Sequence, residues 1–268
     1  MEIDLRVPEL AYLFGVLQTD GHLSKEARNK GRVSVELQVR DRATLERFCA
    51  LLPAYSSVRE RTRDTNFRAG YTTATWTLYG QDVRASLRRL GLPEGEKSKT
   101  VAFPSGLYSE RDYLRGLLDG DGSIGFTRTG IPFISFCTVS PHLAAGFIEY
   151  LHRLTGKQKH ANPNQRDGAF NVMVNTEDAQ TVARALYQAG DLGLGRKHEA
   201  AQRVLLWQRP ATMRKVTWDR RRWTTEEDEV VLRLPLSESA RMLGRTARSV
   251  RVRLHRLKKE RSCPSSTL

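Results

Sequence analysis

The stretch YLRGLLDGDGSIGF, residues 113–126, reads as an apolar helix that ends on two aspartates, Asp119 and Asp121. A helix C-terminus carries partial negative charge, so the backbone repels carboxylates placed there. Either these side chains face solvent, where the repulsion is screened, or something positive sits beside them. An upstream stretch, YLFGVLQTDGHL at residues 12–23, matches at an offset of 101 residues. Tyr12, Leu13, Gly15, Leu17, Asp20 and Gly21 recur as Tyr113, Leu114, Gly116, Leu118, Asp121 and Gly122. Six shared positions point to an internal duplication, and this long period suits a doubled domain better than a solenoid.

The pattern around each stretch repeats as well. Pro8 and Glu9 suit the first turn of a helix whose stripe is Leu10, Leu13, Phe14 and Leu17. Strand-like alternation follows at 32–39, then a helix through ATLERFCALL, strands near 57–63 and 73–79, and a helix over 81–90. Downstream, Ser109 and Asp112 read as a capping box before the second opening helix. Strands are expected at 123–128 and 132–138, a helix through HLAAGFIEYLHRL, strands at 157–161 and 169–175, and a helix over 177–189. Each half is therefore expected to be an α+β unit of order αββαββα, spanning 1–100 and 101–210. Residues 91–109, rich in Gly, Pro, Ser and Lys, link them.

The chain has 268 residues, 44 Lys and Arg, 30 Asp and Glu, and a formal net charge of +14. That balance favours a polyanionic partner, most simply nucleic acid. Residues 209–261 hold 16 basic and 7 acidic residues, so most of the excess lies near the C-terminal end. No run approaches the roughly 18 apolar residues of a membrane span, and MEIDLRVPEL lacks the profile of a signal peptide. Cys49, Cys137 and Cys263 show no ligand spacing and read as free thiols in a reducing compartment. The expected location is the cytoplasm or an organelle, wherever the partner lies.

Residues 211–268 form a third segment. Thr224 can cap a helix with an acidic first turn, Glu226, Glu227 and Asp228. Ser237 or Ser239 can start a second helix ending near Gly244. Thr246 can cap a third, with Val250, Leu254 and Leu257 as its buried stripe. Arg245, Arg248, Arg251, Arg253 and Arg256 surround that last helix and are candidate DNA contacts. The tail SCPSSTL is expected to be disordered.

Gly15 and Thr19 lie four apart, as do Gly116 and Gly120. Small residues at that spacing let two helices approach closely. Packing through this face would bring Asp20 and Asp121 together, where their repulsion calls for a cation with a taste for hard oxygen ligands.

The stretches LFGVLQTDG (13–21) and LRGLLDGDG (114–122) resemble the paired motifs of the LAGLIDADG homing endonucleases. The resemblance covers roughly residues 8–208. It implies tandem pseudo-symmetric repeats that form a DNA-binding saddle. It also implies a monomeric, site-specific endonuclease that cuts one phosphodiester on each strand across the minor groove, leaving short 3′ overhangs. The partner would be double-stranded DNA with a long asymmetric target. Asp20 and Asp121 would bind catalytic Mg²⁺, or Mn²⁺ in its place, with the carbonyls of Thr19 and Gly120 as further candidate ligands. The family also tends to place a lysine late in each half. Lys97 lies 77 residues after Asp20 and Lys197 lies 76 after Asp121, so these are the candidate catalytic pair, with Lys99 the alternative to Lys97.

The sixth motif position is Gln18 in one half and Asp119 in the other, and Asp119 reads as a helix-end or interface residue rather than a primary metal ligand. Gln38 and Arg40 are candidate DNA contacts on or beside a strand, and Thr138 is the unmatched counterpart of Gln38. RRWTTEED and LGRTARSVRVRL resemble a Myb-like helix-turn-helix, which would give the chain a small all-α DNA-binding segment. Two other readings share the fold: a non-catalytic transcription regulator, whose sequences usually lack the acidic pair, and an intron maturase acting on RNA.

Overall fold

The computed structural model describes residues 2–25, 31–65, 68–213 and 223–262. The chain forms two compact units, Met1–Arg209 and Pro210–Leu268. Cys263 and the rest of the tail, and Arg221 and Arg222 before Trp223, lie outside the described residues. Cys49 and Cys137 are free thiols. No described helix is long and apolar enough to cross a membrane.

The first unit opens with α1, Pro8–Thr19, whose residues from Ala11 to Gln18 are all buried. A helix buried all round needs a partner on more than one side. One side is an antiparallel sheet of order β1-β2-β4-β3, with β1 Gly21–Leu23, β2 Val33–Gln38, β3 Ser56–Thr65 and β4 Arg68–Leu78. Strand alternation sends Val33, Val35, Leu37, Ala74, Trp76 and Leu78 inward. Helices α2 (Arg42–Phe48) and α3 (Gln81–Arg89) add Phe48 and Leu87 to that core. The Phe48 ring meets Trp76 edge-on at 5.7 Å.

The other side of α1 is α4, Glu110–Asp121, which opens the second half. Strands β5 (Gly122–Phe126), β6 (Pro132–Thr138) and β7 (Phe170–Asn175) follow, joined as an antiparallel sheet in that order. Helices α5 (Pro141–Thr155) and α6 (Thr176–Leu186) cover its inner face, with Phe136 packed edge-on against Phe147.

Three details differ from the sequence reading. Residues 157–161 form no strand, so this sheet has three strands where the first has four. Only Ala161 of that stretch packs on the core; Lys157 and Lys159 instead reach Asp178 in the first turn of α6, at 2.6 and 3.6 Å. A segment with so few apolar side chains has no inward face for a sheet to bury. An unforeseen helix, α7, runs over Gly195–Leu205 and buries Lys197, Ala200, Ala201 and Val204, an i, i+3, i+4, i+7 stripe. At α4, the Ser109 hydroxyl donates to Asp112 instead of capping the helix backbone.

The small residues act as expected where α1 and α4 meet. A Cβ added at Gly15 would sit 2.4 Å from the Tyr113 carbonyl oxygen, and one added at Gly116 would sit 2.2 Å from that of Tyr12. Both obstacles are backbone, so only a separation of the helices could relieve them. Gly116→Ala is expected to destabilise the unit, because overpacking costs about 1–3 kcal/mol and outweighs the roughly 1 kcal/mol of helix propensity that alanine adds. Chemical denaturation reads this directly. An unchanged or higher midpoint would show that the helices do not touch there.

The second unit holds α8 (Thr225–Arg233), α9 (Leu236–Leu243) and α10 (Ala247–Ser262) around Val231, Leu243, Val250 and Leu257. Thr224 and Glu227 form the capping box of α8. Neither Ser237 nor Ser239 caps α9, which starts after Pro235; Ser239 is buried and donates to the Leu234 carbonyl at 3.2 Å. Thr246 stands before α10 as expected, and its hydroxyl accepts from the Ser249 amide.

Candidate active site at the paired helix ends

Asp20 follows the last residue of α1, and Asp121 is the last residue of α4. The close approach at Gly15 and Gly116 carries through to these ends. A Cβ at Gly120 would strike the Thr19 hydroxyl at 2.0 Å and stand 3.3 Å from Asp20 Oδ2. Gly120 is therefore what lets one aspartate come up to the other helix. Both aspartates keep an open side to solvent, while protein walls strip water from the rest. Burial, followed by the charge of Asp20, pushes the Asp121 carboxyl up to about 6, against the pull of Lys97 and Lys197. Burial also raises Asp20, offset by Lys97, Lys197 and Arg196.

Positive charge does sit beside these carboxylates. Lys97 Nζ donates to the carbonyls of Gln18 and Thr19, at 2.9 and 2.5 Å. Lys197 Nζ donates to those of Leu118 and Gly122, at 2.6 and 2.5 Å. Each ammonium thus stands on the negative end of one helix of the pair. Burial lowers both lysines to about 8, against Asp121 and Asp20 at Lys97 and against Asp119, then Asp20 and Asp121, at Lys197. Lys99 is exposed, whereas Lys97 is buried, so Lys97 is the counterpart of Lys197. The match is not perfect: Lys97 engages the Thr19 carbonyl, and Lys197 passes over that of Gly120. The Thr19 side chain turns back, donating to the carbonyls of Gly15 and Val16.

The sixth motif positions lock the helices to one another. Tyr12 of α1 donates to Asp119 at 2.8 Å, and Tyr113 of α4 donates to Gln18 at 2.5 Å. Asp119 also accepts from the Tyr187 hydroxyl at 2.9 Å and the Leu194 amide at 2.7 Å. These three donors hold its charge, while near-complete burial raises its pKa. The interface reading of Asp119 matches this geometry. Arg115, also buried, grips Asp112, Asp191 and the Leu192 carbonyl at 2.6, 3.1 and 3.0 Å. That grip fixes the loop leading to Lys197.

Sequence reasoning missed Arg196, whose Nε donates to Asp41 at 3.0 Å and whose charge reaches Asp20. Its signal was adjacency to Lys197 on a helix that went unread. Gln38 ends β2, and Arg40 lies in the 3-10 turn Val39–Asp41; both are exposed and line a cleft with Tyr71 and Thr72. Thr138 is buried, its hydroxyl accepting from the Ser140 amide, and offers no equivalent surface group.

In the second unit the arginines divide. Arg245 pairs with Glu227 at 2.6 Å and lies 3.9 Å over the Trp223 ring. Arg253 pairs with Asp228 at 2.5 Å. Both are thus engaged by the acidic first turn of α8, and Arg253 also lines a groove along α10. Arg248, Arg251 and Arg256 are exposed. Arg248 and Arg256 flank Val252 in that groove, of about 400 Å³.

Comparison with known proteins gives the following. Residues 109–186 match the family model of the LAGLIDADG-like domain. No curated protein matches the chain. Among solved structures, the meganuclease I-SmaMI bound to uncleaveable DNA aligns at 12% identity and a TM-score of 0.47, over 74% of this chain and 89% of that one. The LAGLIDADG homing endonuclease I-LtrWI bound to target DNA aligns at 11% and 0.47, again over 74% and 89%. I-GzeII in complex with its DNA target aligns at 10% and 0.46, over 73% and 88%.

Proposed function

We propose that this chain is a site-specific DNA endonuclease of the LAGLIDADG homing type, cutting one phosphodiester on each strand across the minor groove and leaving short 3′ overhangs. The observation that carries the reading is the pairing of Asp20 and Asp121 at two helix ends, each end bearing a buried lysine. The protein acts as a monomer on a long asymmetric duplex site, in whichever compartment holds that DNA.

The donor set fits a hard divalent cation. Two carboxylates stand at adjoining helix ends, and Asp121 is raised to about 6 by burial and then by the charge of Asp20, which a cation would offset. Asp20 and Asp121 would hold Mg²⁺ or Mn²⁺, with the Gly120 carbonyl as a further candidate ligand; the Thr19 carbonyl could join them only if Lys97 released it. A cation there supplies Lewis-acid charge and lowers the pKa of bound water. The chain's own residues do the rest. Lys97 and Lys197, pinned by two carbonyls apiece, place fixed positive charge where negative charge grows on the attacked phosphate. The Asp119 and Gln18 locks keep the two centres at a set spacing. The test is incubation of a duplex library with the protein and Mg²⁺: ends should be cut at one site, and chelation should abolish cutting while leaving the complex. Cutting that persists after chelation would remove the carboxylate pair from the chemistry.

The second unit extends this reading. The open face of α10, with Arg248, Val252 and Arg256, is taken to follow DNA as a Myb-like helix does. Deleting residues 212–268 spares the first unit, whose end is tied down by Arg209 on Glu177 at 2.6 Å and by Gln180 on the Trp207 carbonyl at 2.8 Å. The shortened protein should stay folded and cut at high concentration. It should bind more weakly, with a footprint shortened at one end and a shallower salt slope, by about 0.9 for each phosphate that the second unit would have neutralised. Unchanged affinity and footprint would make the second unit packing material.

A further inference from the structure

The two sheets differ in the chemistry of their open faces. In the first, the register sets Ser57 across from Thr77, Arg59 across from Thr75, and Arg61 across from Thr73. Core residues Ala74, Trp76 and Leu78 occupy the alternate positions, so Arg59 and Arg61 project from the open face, where both are exposed. Arg63, one step further, is held by Glu36 at 2.8 Å. Asp20 lines the same groove as Arg59 and Arg61, so this face runs up to the paired helix ends.

In the second sheet the same argument exposes a different set. Ile134, Phe136, Val172 and Val174 point to the core. The register then places Phe133 across from Asn175, Ser135 across from Met173, and Cys137 across from Asn171 on the open face. None of these is charged, and Met173 is 48% exposed. A duplex lying over both sheets meets a charged face on one side, Arg59 and Arg61 beside Glu36 and Gln38, and an uncharged face of asparagine and apolar groups on the other.

Base edges answer to these groups differently. Arginine pairs in bidentate fashion with the O6 and N7 of guanine, asparagine with the N6 and N7 of adenine, and apolar groups pack on the thymine methyl. We infer that the target site is chemically lopsided: a G·C-containing half under the first sheet, read by Arg59 and Arg61, and an A·T-rich half under the second, read by Asn171, Met173 and Asn175. This rests on the endonuclease reading for its ligand, but it concerns recognition and needs no cleavage to be tested.

The experiment is selection of bound duplexes from a fully randomised pool by the full chain, with chelator present so that nothing is cut. The selected sites are expected to be G·C-rich in one half and A·T-rich in the other. Arg59→Ala with Arg61→Ala should relax guanine preference roughly tenfold at each of two positions in the G·C-rich half alone. Asn171→Ala with Asn175→Ala should relax adenine preference in the other half alone. Equal composition in the two halves, or relaxation spread over both, would overturn the inference. If the selected site is nonetheless cut once Mg²⁺ is supplied, the endonuclease reading survives that result. Absence of any selected site would overturn both.

Discussion

Asp20→Asn and Asp121→Asn should each abolish double-strand cleavage while leaving DNA binding intact or slightly tighter. Asparagine keeps the size of aspartate and loses the charge that a divalent cation needs. Neither side chain takes part in the Gly15–Gly116 contact or the Tyr12 and Tyr113 hydrogen bonds, so the helix pair should persist. Removing negative charge beside a phosphate backbone also cannot weaken affinity by electrostatics. With both carboxylates serving one centre, as proposed, each single variant should lose nicking on both strands. A second readout separates charge from fold. The Asp121 carboxyl is raised from 3.8 to about 6 in the metal-free protein. A carboxyl with a raised folded-state pKa binds its proton more tightly when folded, so stability should rise as pH falls from about 6 toward 4. The gain should be modest, since the group has an open side to solvent. Thermal unfolding at pH 7.5 and pH 5 without divalent cations should show that rise in the wild type and a smaller one in Asp121→Asn, where the raised Asp20 and Asp119 carboxyls remain. Full cleavage by either variant would exclude these residues from the chemistry.

Lys97→Met and Lys197→Met are expected to slow single-turnover cleavage at saturating protein by about 10²–10³ each, the loss seen when one fixed donor to a developing charge is removed. Methionine keeps most of the buried stem and removes the ammonium. Binding should change little, because one positive charge among many contributes a small part of the affinity. Lys99→Met is the control and should cut at the wild-type rate, since Lys99 is exposed where Lys97 is buried. Wild-type rates for both Lys97→Met and Lys197→Met would move the role to other residues, and Arg196, whose charge reaches Asp20, would be the next to change.

The helix pair was readable because its rule is local. Glycines four residues from another small residue, on two matching helices, have few uses other than close packing, and Asp-Gly at both ends fixes what meets there. The lysines were found by equal spacing from the two aspartates, which survives duplication even when the intervening sequence does not. What escaped was set by tertiary contact. The helix α7 hides behind Lys197, a charged residue in the middle of its buried stripe. Lysine disguises a helical period that Ala200, Ala201 and Val204 otherwise show. The absent strand at 157–161 was read from position in the repeat, where the side chains lacked an apolar face. In the second unit, the arginines of the last helix share one sequence pattern. Only the fold shows that the acidic turn of α8 engages Arg245 and Arg253 and leaves Arg248, Arg251 and Arg256 exposed.

Asp20 and Asp121 are proposed to form one centre acting on both strands of a duplex. The most direct test is mapping the cut ends on both strands of a target recovered from a duplex library, with Mg²⁺ present. One cut per strand is expected, a few base pairs apart across the minor groove, with 3′ overhangs, and loss of both cuts together in Asp20→Asn. Cuts scattered over the duplex, or a single strand cut that survives in Asp20→Asn, would contradict the proposal.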